Sequence, residues 1–151
     1  MSNTRSKSTL FLIEQLIVVA VFAICAAACV RIITSAYYTA RESRDVNNAI
    51  HVAESGAESY KAVGGDVGKA AAVMGGKTGS VNGASAALVY YNSKWSVCAE
   101  SDADAQYVLR MTSGTQDSRT PRLMSGELTV ERLDGEGDTL ISFAIAAIDD
   151  G

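Results

Sequence analysis

From Leu10 to Ile33 the chain is apolar apart from Glu14, Gln15 and Arg31, with Cys25 and Cys29 the other titratable residues. A bilayer needs roughly 20 apolar residues for one helical crossing, so this segment is long enough to span. Burying the Glu14 carboxylate at the centre of a bilayer costs roughly 2.5 kcal/mol or more, and an acid kept there needs a reason. Ala26-Ala27-Ala28 mimics the small-residue cleavage site of a secretory signal, but the helical pattern continues past it without a break. The segment is therefore predicted to be the membrane half, 10–33, of a longer helix.

Beyond the span, Val46, Ala49, Ile50, Ala53, Ala57 and Tyr60 recur at spacings of three and four, which makes one apolar stripe. Arg41, Arg44, Asn48, Ser55 and Glu58 occupy the other side. An amphipathic half, 34–63, is expected, ended by Gly64-Gly65. Gly56 inside it weakens the helix by about 1 kcal/mol relative to Ala. A Gly-rich connection follows up to Ser85, holding a short helix with Asp66 as its N-cap and Gly75-Gly76 as its end.

The remainder has strand character. Residues 87–91 and 95–99 flank Asn92-Ser93-Lys94, a hairpin signal. Residues 106–112 and 127–133 alternate with a period of two, Leu128, Val130 and Arg132 falling on one face of the latter. A last strand over 139–148 follows the turn 134–138. The expected fold class is α+β: a long N-terminal transmembrane and amphipathic helix packed on a small antiparallel meander of four or five strands within 64–151.

The order of a short basic leader, Leu10-Phe11-Leu12-Ile13-Glu14, and an apolar Pro-free helix resembles the N-terminus shared by type IV pilins and type II secretion pseudopilins. Glu14 falls fifth counting from Leu10, as the family's glutamate does after its leader is removed. The family usually has Gly before the cut and Phe after it; here Thr9 stands before the cut and the Phe is Phe11. The resemblance implies a leader over 1–9, cleavage between Thr9 and Leu10 by a prepilin peptidase, and pairing of Glu14 with the free amine of Leu10 on a neighbouring subunit. It implies a structural role, as a minor pilin or pseudopilin of a type II secretion or type IV pilus-like filament. Sister subunits, a membrane assembly platform and the lipid bilayer are the partners, and no cofactor is implied. Arg5 and Lys7 precede the span and Arg31, Arg41 and Arg44 follow it, so the basic count does not decide orientation; the very short N-terminal tail and the resemblance together imply an N-terminus in the cytoplasm and a C-terminal domain outside it. The rival expectation is a single-pass anchored extracytoplasmic binding module that does not polymerise.

Other chemistry has thin support. From Gly64 onward seven basic residues face twelve acidic ones, so nucleic acid has no basic stripe to bind. His51 is the only histidine and has no companion at metal-ligand spacing, which leaves a solvated helix position. Residues 71–78 read A-x-x-x-x-G-K-T, one residue short of a phosphate-binding loop, and a helix precedes them where that motif needs a strand. Asp134, Glu136 and Asp138, and likewise Glu100, Asp102 and Asp104, alternate as calcium-loop acids do, although neither run reaches the closing Glu of an EF-hand. A polar hairpin turn accounts for 134–138 more simply. Cys25 and Cys29 lie one turn apart in the span and read as small packing residues, and Cys98 stands alone in the outer part. Ala23 with Ala27, and Cys25 with Cys29, form short ridges of small residues of the kind that lets helices approach in lipid. No catalytic or metal-ligand set emerges, and an enzyme is not expected.

Overall fold

The computed structural model describes residues 3–81, 83–114, 122–134 and 137–148, with the side chains of 3–8 left aside. Pro121, Glu136 and the side chains of Arg5 and Lys7 lie outside the described residues. The chain divides into two units, Met1–Ser43 and Arg44–Gly151.

Helix α1, Asn3–Ala62, runs through the apolar segment and the amphipathic one. In the first unit its apolar side chains are exposed throughout, from Leu10 to Tyr38. In the second unit the helix is the lid of a core. Ala49, Ala53, Ala57 and Tyr60 are buried there, and Gly56 lies with them. The buried line is turned slightly from the sequence stripe: Val46 and Ile50 are half-buried flanks, and Val52 joins the core edge. The reason is Gly56. A Cβ on it would stand 3.0 Å from Leu128 Cδ1 and 3.1 Å from Leu109 Cδ2, so the helix lies closest to the sheet along its bare line.

Gly64 and Gly65 end α1, both with positive φ, 67° and 87°. The N–H of Gly65 donates to the Tyr60 carbonyl at 2.9 Å, satisfying a carbonyl of the last turn. A side chain at Gly65 would collide with Met124, its Cβ falling 2.4 Å from that of Met124. Helix α2, Val67–Val73, starts at the predicted cap. The Asp66 carboxylate accepts from the N–H groups of Gly68 at 2.8 Å and Lys69 at 3.1 Å. These bonds, the one to Lys69 foremost, hold the Asp66 carboxyl below its ordinary range.

Among the described residues the sheet has six antiparallel strands: β1 Lys77–Val81, β2 Ala84–Asn92, β3 Val97–Cys98, β4 Ala105–Ser113, β5 Leu123–Arg132 and β6 Thr139–Ile148. Their order is β1-β2-β4-β5-β6, with β3 pairing β2 off this path. Two expectations are corrected. Residues 77–81 are a strand rather than connection: they form an edge strand whose side chains are almost all exposed, so they lack the alternation by which strands are read. The second arm of the predicted hairpin shrinks to two residues, because β4 takes the long pairing with β2.

The register builds one apolar face. Ala87 pairs Met111, Val89 pairs Leu109 and Tyr91 pairs Tyr107 across β2 and β4. Leu109 pairs Val130 and Met111 pairs Leu128 across β4 and β5, and Leu128 then pairs Phe143 on β6. With the α1 residues and Ala70 and Ala71 of α2, these side chains are the core. The Tyr60 hydroxyl donates to the Ser125 carbonyl at 3.1 Å, fixing the end of α1 on β5.

Candidate functional site

Within Met1–Ser43 the helix presents a long apolar surface. It holds a window long and apolar enough to cross a membrane by length and composition, none of which is buried inside the protein. Glu14 and Arg31 are both exposed on it. Among the described residues neither has an ion-pair or hydrogen-bond partner. Thr9 and Leu10, the predicted cleavage pair, are exposed helix residues, and Thr9 makes a contact of its own. The Thr34 and Thr39 hydroxyls donate back to the carbonyls of Val30 and Ser35 at 2.9 and 3.1 Å. Their polar groups are thus satisfied within the helix. Tyr37 and Tyr38 stand beyond the apolar run with rings edge to face, 6.2 Å between centroids. Paired aromatics at that position suit the headgroup level of a bilayer. Cys25 and Cys29 are exposed free thiols.

The second unit carries its main polar constellation at one end of the sheet. Asp45 is buried at the head of the helical stripe, one turn before Ala49. Arg132, last in β5 on the core face, places Nη2 3.1 Å from an Asp45 oxygen. The same guanidinium has Asp134 at 3.6 Å and Asp138 at 3.8 Å. The Tyr107 hydroxyl joins them; burial first, then the Asp45 carboxylate, raises its pKa, and Arg132 opposes that. Trp95 stacks on Tyr107, 4.0 Å between centroids and 18° between planes. To do so it adopts φ +61°, a left-handed conformation that costs a non-glycine residue of order 1 kcal/mol. The turn is fastened by Asn92, whose side chain accepts from the N–H groups of Lys94 and Ser96 at 3.0 Å. Sequence reading placed Arg132 on the apolar face but did not find its partner. The available signal was an acid at stripe spacing from Ala49.

The acidic runs are already engaged. Asp134 and Asp138 face Arg132, and an Asp102 oxygen accepts from the Ala99 N–H at 2.9 Å. Asp104 accepts from Ser93 at 3.3 Å, and Glu100 lies against the Tyr90 hydroxyl. Among the described residues no three His, Cys, Asp or Glu side chains gather as a metal site. His51 is an exposed helix residue, 3.7 Å from Glu54. Burial pushes the Cys98 thiol up, with Asp102 and Asp104 adding to it, which disfavours the thiolate. Lys77 and Thr78 lie on β1 after a helix, the reverse of the strand-to-helix order a phosphate-binding loop requires. On the face of the sheet away from α1, Arg110 and Glu131 pair at 3.2 Å and Glu127 accepts from Ser142 at 3.0 Å.

Compared with protein families, with curated proteins and with solved structures, the chain matches none. The candidate site that remains is the exposed helix surface carrying Glu14.

Proposed function

We propose that this chain is a pilin-like structural subunit, a minor pilin or pseudopilin of a type II secretion or type IV pilus-like filament. One observation carries the reading: Glu14 is an exposed acid, unpartnered among the described residues, and the only charged residue from Leu10 to Val30. In lipid such a group is retained where something outside the helix neutralises it. The resemblance at residues 10–14 supplies that partner as the amine of Leu10 on a neighbouring copy, freed by a prepilin peptidase. The α+β fold, with α1 leading into an antiparallel sheet, is compatible with this role. The N-terminus then lies in the cytoplasm and the sheet domain outside the membrane, where sister subunits and an assembly platform meet it.

Thr9, in place of the family's Gly, favours the rival reading, an anchored binding module whose leader stays on. Mass spectrometry of protein extracted from its native membrane separates the two. A terminus at Leu10 is expected. An intact Met1 or Ser2 terminus overturns the processed, filament-forming reading.

A further inference from the structure

The two edges of the sheet differ in kind. Strand β1 is short, opens with Lys77, carries Gly79 and exposes nearly all its side chains. A short, charged edge is protected against further pairing. Strand β6 closes the other side with ten residues that include no charge, no Pro and no Gly. Which backbone groups it leaves open follows from the ladder. The Gly114 N–H donates to the Ser125 carbonyl at 2.7 Å, so Ser125 turns its backbone groups toward β4. Ala146 lies opposite Ser125 and therefore turns its own away from β5. Ser142, Ala144 and Ile148 do the same by alternation, and the one irregularity, at Leu140, lies before this run. Among the described residues no backbone bond reaches these groups.

We propose that the open edge of β6, from Ser142 to Ile148, takes up an extended segment of another protein as a further strand. That segment carries apolar side chains on alternate residues and a basic residue at each end. The backbone pattern specifies an extended chain, because only a strand can meet open groups on every second residue. The core face specifies the apolar side chains. Phe143 and Ile141 are half-buried at this rim of the core, and an apolar neighbour completes their cover. Charge specifies the ends. Asp134 and Asp138 precede β6, and Asp149-Asp150 follow it in the chain. Arg132 offsets one of the three acids Asp45, Asp134 and Asp138, which leaves that end negative.

The same acids argue against a second copy. Two β6 strands paired antiparallel about Ala144 set the Asp138 end of each against the Asp149-Asp150 end of the other. Like charges placed opposite one another destabilise a ladder. Strand β1 of a second copy brings Lys77 but, of apolar side chains, only Val81. A filament subunit and an anchored module would present the β6 edge alike.

The test uses the full chain purified in detergent. The probe is a synthetic peptide of seven alternating valine and threonine residues, the span of Ser142 to Ile148, with a lysine at each end. Amide hydrogen exchange, followed by NMR, should be fast at Ser142, Ala144, Ala146 and Ile148 in the free chain. The peptide at about 0.1 mM should slow those four amides by about tenfold or more. The same peptide with its backbone N–H groups methylated should give no protection. Glutamate in place of its lysines should weaken binding by about tenfold. Ala144→Pro should fold, since that N–H takes no part in the pairing with β5, and should lose the protection. Unchanged exchange with the lysine-ended peptide overturns the proposal. So does equal protection by the methylated peptide, which needs no altered protein. Equal binding of the glutamate-ended peptide removes the basic partner. Protection of the four amides in the free chain, together with a dimer in sedimentation, makes the occupant a second copy and removes a foreign strand.

Discussion

The Arg132 guanidinium lies 3.1 Å from the Asp45 carboxylate, joining the last residue of β5 to the first buried residue of the helical stripe. Asp45→Ala leaves Arg132 with only the longer contacts to Asp134 and Asp138, both exposed. Breaking a largely buried pair by removing one partner should cost about 2–4 kcal/mol. Asp45→Asn, which keeps a hydrogen-bond acceptor, should cost less. Urea unfolding of the two variants checks the order.

A chain beginning near Thr34 should fold as a monomer without metal or disulfide, since the second unit contains its own core and Cys98 as its only thiol. Within it Ala53→Asp should be severe, several kcal/mol, because position 53 is fully buried with no partner for a charge. Ile50→Asp should be milder, because Ile50 is half-buried and its replacement can reach water. Equal losses of melting temperature would place the helix on the sheet differently from the structure.

Gly56 separates propensity from packing. Alanine there gains about 1 kcal/mol of helix propensity but meets Leu128 and Leu109 at close to 3 Å. Gly56→Ala should therefore be near neutral. Gly56→Val has no room and should destabilise by roughly 1–3 kcal/mol through overpacking. Thermal unfolding of both substitutions gives the comparison.

Alkali should unfold the domain in a defined window. Burial pushes the Tyr91 phenol up to about 12 from an ordinary value of 10.0, and raises Tyr60, Tyr90 and Tyr107 in the same direction. The folded state favours the neutral phenol, so the contribution is complete below pH 10 and is lost as pH rises towards 12. For Tyr91 the loss is about 2–3 kcal/mol. Phenolate absorbance against pH should show these tyrosines titrating together with unfolding, and Tyr91→Phe should shift the transition to higher pH.

Much of the fold is legible in the chain because its signals are local. Gly64-Gly65 stops α1 through positive φ, and Asp66 caps α2 with its own carboxylate. Leu128 and Val130 alternate onto the core face as their spacing predicts. What is not legible depends on distant residues. The stripe on α1 reads equally well centred on Ile50 or on Ala53, and Leu109 and Leu128 beneath Gly56 decide between them. Strand β1 has no apolar alternation, because it borrows its hydrogen bonds from β2 while its side chains stay in water. For the candidate site, the apolar span and Glu14 are visible at once. The pairing of Asp45 with Arg132 is not, because the two lie far apart in the chain and meet only when α1 lies against β5.

Trp95 is the chain's single tryptophan, and its ring lies flat on Tyr107, itself the neighbour of Asp45 and Arg132. The protein thus carries an intrinsic fluorophore at the junction of α1, β4 and β5. Its emission should change when that junction opens, even if the far end of the sheet remains paired. Comparing this signal with sheet circular dichroism during denaturation would reveal whether the helix lifts from the sheet before the strands separate, without attaching a label.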